Sequence, residues 1–245
     1  TTEIYTLSLH DALPIYEFSR YVSFINVGQG DCILIHNKKD NILIDTGGSL
    51  YVDIAKDVLN PYFKKNHIKS LDCVFISHND YDHAGAFDNL IYYVNIKEVI
   101  RGSTFYLKEV GNLKFYNLNQ FYIGEEENIN SSVIYFSFLN KNFLMMGDAP
   151  IEVEDKILKQ YDNLKTDIIK IGHHGSNTSS SRVKSFLYKD NLLASLVNLL
   201  TSSPHLLTSS SKASWEIVTF FLVKIAIAGV RFGEFSGRSE DVLHR

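Results

Sequence analysis

The sequence has little cysteine, no long apolar run and no excess of basic side chains, and each absence excludes a class of protein. Its two cysteines, Cys32 and Cys73, lie in apolar runs without a CxxC partner, which argues against a disulfide framework or a cysteine-rich metal site. The apolar stretch 217–230 is interrupted by Thr219 and Lys224 and is shorter than the roughly 18 residues of a membrane-spanning helix. We therefore interpret both cysteines as packing residues and predict no membrane span.

The charge distribution lacks the basic footprint of a nucleic-acid-binding surface. The formal net charge is −4. Residues 182–245 carry eight of the 24 Lys and Arg and five of the 28 Asp and Glu, so residues 1–181 have a balance of −7. Composition therefore predicts no strong sequence-independent affinity for a polyanion. The first residues contain neither a basic n-region nor a continuous apolar h-region, so no secretory signal is predicted.

The chain is long enough for one large globular domain. It has 245 residues, of which 45% are hydrophobic, and this allows a substantial core. We place that domain at residues 16–190. Residues 1–15 resemble a translated sequencing-adapter read-through and are interpreted as a non-native leader. Residues 191–245 begin with a Leu/Ser/Thr-rich stretch of poor periodicity, which indicates either an aberrant tail or a divergent C-terminal subdomain.

Apolar periodicity predicts two β-rich halves, each with helices after its strands. In the first half we expect strands at 21–27, 32–36, 41–45, 71–76 and 98–100, and helices at 52–66 and 84–92. In the second half we expect strands at 133–139, 143–146 and 167–171, and a helix at 151–161. Residues 102–128 have mixed strand and loop character. This order favours an α/β (α+β) fold, a four-layer αββα sandwich.

The strongest chemical feature is a cluster of four ligand-type side chains within six residues, directly after an apolar strand. These are His78, Asp80, Asp82 and His83. A strand end followed by a turn can direct such side chains into one mouth without burying an unpaired charge in the core. Two imidazoles and two carboxylates suit two divalent ions. The alternative is a solvated polar loop, since Asn, Asp and His are common in turns.

Matching groups follow two later strands. Asp148 comes after 143–147, where its carboxylate could bridge two cations, or could cap the helix that begins near Pro150. His173 and His174 come after 167–171, and one ring could bind a metal while the other contacts a substrate phosphate or a group that supports a metal ligand. An ordinary surface turn is the alternative for this pair.

Six short motifs occur in a fixed order between about residues 20 and 181. They are Asn26-Val27-Gly28-Gln29-Gly30-Asp31, Ile44-Asp45-Thr46-Gly47-Gly48, His78-x-Asp80-x-Asp82-His83, Asn130-x-Ser132, Gly147-Asp148 and Gly172-His173-His174-Gly175-Ser176. Together they resemble the metallo-β-lactamase-like domain of the DNA-internalisation competence protein ComEC and its free-standing relatives. We interpret Asp31 as a group that binds turn amides or histidines that support the metal ligands, and the glycines of its motif as turn residues.

The resemblance implies the αββα fold, with two divalent ions, zinc or manganese, at one edge of the sandwich and no organic cofactor. It implies one set of metal ligands: His78, Asp80, Asp82, His83, Asp148 and His173 or His174. Asn130 stands where other branches place a ligand histidine. The nearest candidate for the Gly-His-Pro element of the family is Ser203-Pro204-His205, which does not match it.

The leading hypothesis is phosphodiester hydrolysis of DNA in competence-type DNA uptake. A hydroxide bridging the two metals would attack phosphorus. Asp82 would orient this hydroxide, and His174 or Ser176 would contact a phosphoryl oxygen. Because the balance of residues 1–181 is negative, local lysines such as Lys165 and Lys170 would have to contact the DNA backbone.

Two other functions fit the same residues. One is hydrolysis of a small ester, thioester or lactam, because substrate changes with loops on a conserved fold. The other is a catalytically degenerate metal-binding domain. Expected partners are DNA or another phosphodiester and, if the chain is part of a larger protein, a membrane channel domain. The expected location is cytoplasmic, or membrane-associated within such a protein.

Overall fold

The computed structural model describes residues 20–120, 124–161 and 164–173, together with the backbone of a short strand at 230–232. These residues form two large β-sheets, four α-helices and one two-stranded sheet. Among the described residues, no helix has both the length and the apolar character needed to cross a membrane.

The first large sheet has six strands in the spatial order β13-β1-β2-β3-β5-β7. Their bounds are β1 Arg20–Phe24, β2 Ile33–Asn37, β3 Asp40–Ile44, β5 Cys73–Ile76, β7 Val99–Arg101 and β13 Val230–Phe232. The first three strands form the predicted antiparallel meander, whereas β5 pairs parallel with both β3 and β7. A segment of the C-terminal region, β13, pairs parallel with β1. The predicted domain boundary at 190 remains a prediction.

The second large sheet has five strands in the order β12-β11-β10-β9-β8. Their bounds are β8 Leu107–Val110, β9 Leu113–Asn117, β10 Ile134–Phe138, β11 Lys141–Met145 and β12 Ile168–Lys170. All neighbours are antiparallel except β11 and β12, which are parallel. Thus residues 102–128, which had only a mixed prediction, contribute two strands. A 3₁₀ turn at Glu127–Asn130 follows them.

The helices are shorter than the periodicity predicts. The expected helix at 52–66 consists of a π-helical turn, Ala55–Leu59, that continues into α1, Asn60–Lys65. The expected helix at 84–92 is two short helices, α2 Tyr81–Ala84 and α3 Phe87–Leu90. Only α4, Ile151–Gln160, matches its expected length closely.

The expected strand at 71–76 is also divided. Its first part is β4, Ser70–Leu71, which leaves the large sheet and pairs parallel with β6, Asn95–Ile96. Its second part is β5. Asp72 lies between the two parts and accepts a hydrogen bond from the backbone of Asn41, at 2.8 Å.

Three separate apolar clusters establish the layer order. The central cluster joins the facing surfaces of the two large sheets; Phe75 of the first sheet and Phe115 of the second have ring centroids 5.1 Å apart. A second cluster packs α1 and α3 onto the outer face of the first sheet, and a third packs α4 onto the outer face of the second. This arrangement confirms the four-layer αββα sandwich. Cys32 and Cys73 are buried free cysteines, as predicted.

Candidate metal centre

Parallel strands bring the chemical residues to one edge of the sandwich. Strands β3 and β5 are parallel neighbours, so Asp45 after the first and Ser77 and His78 after the second lie at adjacent carboxyl ends. Strands β11 and β12 are parallel in the second sheet, and they end just before Asp148 and His173. Carboxyl ends of parallel strands are a common location for functional groups.

Three buried residues meet at this edge. The ligand atoms of His78, His83 and Asp148 all lie within 4.8 Å of one another. The Nε2 atom of His83 is 3.1 Å from Oδ1 of Asp148, and the centroids of the two imidazole rings are 4.2 Å apart. The two histidines come from the first sheet and the carboxylate from the second, so the cluster forms only when the two sheets face each other.

Asp45 fixes the opposite side of the His83 ring. The Nδ1 atom of His83 lies 2.9 Å from Oδ2 of Asp45. The same carboxylate accepts hydrogen bonds from the backbone and the hydroxyl group of Ser77, at 2.7 and 2.8 Å. Asp45 is buried and adopts a positive φ of 57°. It therefore orients His83 and anchors the start of the His78–His83 loop.

The two remaining acidic residues of the motif lie at the edge of this cluster. Oδ2 of Asp80 is 3.4 Å from Nε2 of His78, and its side chain is 46% exposed. Two groups of three ligand-type residues occur among the described residues: His78, His83 and Asp148, and Asp31, Asp45 and His83. Asp82 belongs to neither group, although its carbonyl oxygen accepts a hydrogen bond from the backbone of Asp31, at 3.2 Å. A side chain at Gly30 would collide with that carbonyl, so glycine allows the loops to approach.

Asp148 is not a helix cap. Helix α4 begins at Ile151, and its N-cap is Pro150, which makes no side-chain capping bond. The Oδ1 atom of Asp148 instead accepts a hydrogen bond from the backbone of His173, at 3.1 Å. The capping alternative is therefore wrong. His173 belongs to neither ligand group, while His174 lies outside the described residues, as does Ser176.

Lys170 was expected at the DNA backbone, and this expectation is wrong. The residue is buried, its ammonium group forms an ion pair with Asp31, and it donates a hydrogen bond to the carbonyl of Gly147, at 3.1 Å. Burial by itself would lower the pKa of Lys170, but Asp31 and then Asp148 outweigh this effect and raise the pKa above its usual value. Lys165 is exposed.

Asn130 is held by its own loop. Its Oδ1 atom accepts a hydrogen bond from the backbone of Gly124, at 2.8 Å, and its Nδ2 atom donates to the carbonyl of the same glycine, at 3.2 Å. Glu127, in the same turn, reaches the motif and accepts hydrogen bonds from the backbone and side chain of Asn79, at 2.8 and 2.7 Å. The turn thus supports the motif loop through Glu127.

The donor set fits a divalent cation. The Nε2 atom of His78 is buried and makes no hydrogen bond within the described part of the chain, an unfavourable state that a metal would relieve. Burial and the neighbouring charge of His83 lower the pKa of His78, which favours the neutral ring that binds metals. Imidazole nitrogen and carboxylate oxygen together suit zinc or manganese.

A family comparison agrees with this geometry. Residues 25–116 match the model of the metallo-beta-lactamase superfamily. This chain has the fold of the metallo-β-lactamase superfamily. The matched residues include β2, β3, β5 and β7 of the first sheet, the His78–His83 loop and β8 of the second sheet, and the chain continues beyond them to Asp148.

Three curated proteins are similar to this chain. ComE operon protein 3 of Bacillus subtilis is 27% identical over an alignment of 203 positions, which covers 65% of this chain and 26% of that protein. Competence protein ComA of Neisseria gonorrhoeae is 28% identical over 71% of this chain and 26% of its own length. Recombination protein 2 of Haemophilus influenzae is 29% identical, over 65% and 22%. The chain thus spans about a quarter of these relatives, and the predicted resemblance to the ComEC-type family is confirmed.

The charge state of His83 predicts a pH dependence of metal binding in this domain. Burial opposes protonation of the ring, but Asp45, Asp148 and Asp31 outweigh it and raise the pKa of His83 to about 11. In the metal-free protein this protonation stabilises the fold fully below about pH 6.5, and the contribution is lost as the pH rises through about 11. A metal that binds the Nε2 atom of His83 would have to displace that proton.

We therefore expect the affinity for zinc or manganese to rise about tenfold per pH unit between about pH 6 and 8, with release of about one proton per bound ion. Isothermal titration calorimetry in buffers of different ionisation enthalpy measures both quantities. An affinity that does not change with pH would show that His83 is already neutral in the metal-free protein or does not bind the metal.

Proposed function

We propose that the metallo-β-lactamase domain is a metal-dependent phosphodiesterase that cleaves DNA and uses two divalent ions. The observation that supports this most is the buried cluster His78, His83 and Asp148, with ligand atoms within 4.8 Å of one another. The names of two relatives, a competence protein and a recombination protein, support DNA as the substrate. Because the chain spans a quarter of those relatives, we extend the proposal to a neighbouring membrane channel domain.

In this proposal the cluster holds the ions, together with Asp80, Asp82 and either His173 or His174. When bound, divalent ions lower the pKa of a water molecule and offset the charge that develops at phosphorus. Three carboxylates in the ligand set favour manganese over zinc, since oxygen ligands suit the harder ion. Asp82 would orient the attacking water, and His174 or Ser176 would contact a phosphoryl oxygen.

The other residues of the centre keep the ligands in place. Asp45 holds the Nδ1 side of His83, so the Nε2 side is directed towards Asp148. Ser77 contacts both Asp45 and Nδ1 of His78, at 2.8 and 2.9 Å. Such supporting hydrogen bonds set the tautomer and orientation of ligand histidines. These residues therefore position the metal ligands. Because residues 1–181 have a negative charge balance, affinity for DNA would come from the ions and from exposed side chains such as Lys165.

One set of assays tests the proposed function. The full chain is stripped of metal, loaded with manganese or zinc, and offered bis-p-nitrophenyl phosphate, single-stranded DNA, a thioester and a β-lactam. We expect metal-dependent cleavage of the first two substrates, with more activity in manganese. Cleavage of only the thioester or the lactam would support the small-ester alternative, and bound metal without any turnover would support the degenerate domain.

A matched pair of variants shows whether turnover comes from this centre. His78→Ala removes a buried ligand, whereas His36→Ala removes a buried imidazole that contacts Asn41 on the antiparallel meander, at 2.7 Å. Activity should be lost in the first variant and kept in the second. Equal activity in both would indicate a contaminating hydrolase.

A further inference from the structure

A buried lysine stands beside the metal centre. The ammonium group of Lys170 lies at the end of β12, in an ion pair with Asp31 and 3.7 Å from Oδ1 of Asp148. It also donates a hydrogen bond to the carbonyl of Gly147. A buried lysine requires such partners because an unpaired charge is costly away from water.

The distances assign different roles to the two acidic neighbours. Asp31 is in direct contact with the ammonium group, whereas Asp148 is at ion-pair distance but beyond hydrogen-bond distance. The backbone of Asp31 is itself fixed by the carbonyl of Asp82. Asp31 therefore anchors Lys170, and the positive charge acts on Asp148 through space.

The surroundings of His83 explain why a fixed positive charge is needed. Three buried carboxylates lie within 4 Å of its ring nitrogens: Asp45 at 2.9 Å, Asp148 at 3.1 Å and Asp31 at 3.8 Å. Like charges this close repel one another strongly in a medium of low dielectric constant. In the metal-free protein the protonated ring of His83 offsets part of that repulsion, and the ammonium group of Lys170 adds a second cation that stays in place when a metal replaces the proton of His83.

We propose that Lys170 is a positioning residue of the metal centre. It is a fixed internal cation, anchored by Asp31, that offsets part of the negative charge of Asp148 and its neighbours. These carboxylates therefore attract divalent ions less strongly. This rests on the proposed function, in that it takes the cluster to be a metal site. Lys170 stabilises the metal-free centre and weakens metal binding. Asp31 has the opposite effect on binding, because it offsets the charge of Lys170.

The test is a charge cycle on the full chain, with manganese affinity measured by titration calorimetry and folding checked by circular dichroism. Lys170→Met keeps the length of the side chain and removes the charge, so manganese should bind at least about tenfold more tightly. Asp31→Asn leaves the lysine charge without its counter-ion, so binding should weaken by a similar factor. The double variant restores the total charge, and its affinity should return close to that of the wild type.

The direction of the effect separates this proposal from general damage, because a disrupted site does not bind metal more tightly. Lys141→Met is the matched control. Lys141 lies in the same sheet as Lys170, and its ammonium group pairs with Asp167, at 3.1 Å. The manganese affinity of this variant should equal that of the wild type. Equal or weaker binding by a folded Lys170→Met variant would overturn the proposal alone. If that variant does not fold, unchanged or tighter binding by Asp31→Asn would do so. Wild-type protein that binds no manganese or zinc would overturn the proposed function as well.

Discussion

Asp148→Asn is expected to reduce metal-dependent hydrolysis at least about a hundredfold while the domain stays folded. Loss of a residue that only supports a metal ligand typically costs about 10- to 100-fold, and a direct ligand should cost more. Asparagine keeps the shape and can still accept the hydrogen bond from His173, but it lacks the negative charge that faces His83. Steady-state rates with bis-p-nitrophenyl phosphate measure the loss.

The same substitution at Asp167 is the control. Asp167 directly precedes β12 and accepts hydrogen bonds from Asn142 and Lys141, outside the metal centre. Asp167→Asn should retain nearly full activity. An active, folded Asp148→Asn protein would remove this residue from the ligand set. A capping role that asparagine could preserve does not complicate the result, because Asp148 does not cap α4.

Asp45→Ala is expected to cause the largest loss of stability of any single substitution in the centre, about 3 to 5 kcal/mol in the free energy of unfolding. The substitution leaves the buried backbone and hydroxyl of Ser77 and the Nδ1 atom of His83 without their shared acceptor. Urea unfolding of the metal-free protein at about pH 7 measures the change.

Asp72→Ala provides the comparison. Asp72 also accepts a backbone hydrogen bond, from Asn41, and pairs with the exposed Lys97. Because water can replace much of these interactions, we expect Asp72→Ala to lower the free energy of unfolding by only about 1 kcal/mol. A loss below about 1 kcal/mol for Asp45→Ala would mean that Ser77 and His83 find other partners and that Asp45 does not organise the loop.

Sequence periodicity was sufficient for the layers of the fold but not for its strand order. The alternating runs at 21–45 predict the meander because their partners are adjacent in the chain. The parallel pairing of β3 with β5 is non-local and leaves no periodic signal. The same holds for β13, whose pairing with β1 depends on residues more than 200 positions away. Tertiary contacts also cause the division of the expected strand 71–76 at Asp72, because the carboxylate of Asp72 accepts a hydrogen bond from the backbone of another strand.

The sequence identified ligand-type residues but not the groups that organise them. His78, His83 and Asp148 were predicted as ligands, and the structure brings these three together. Asp45 resembles any acidic residue after a strand until β5 lies beside it. The sequence alone places Lys170 on DNA because it does not report burial. The available signal was that Lys170 and Asp148 each lie near the end of a predicted strand in the second half of the chain.

The two nitrogens of the His83 ring contact carboxylates from opposite sheets, Asp45 from the first and Asp148 from the second. This imidazole is therefore a non-covalent cross-link between the two halves of the sandwich. Neither half contains a complete centre: the histidines of the cluster come from residues 20–101, and Asp148 and Lys170 come from residues 107–170. The packing of the two halves against each other and the assembly of the centre are consequently one cooperative event. A fragment of either half would carry ligands without a binding site.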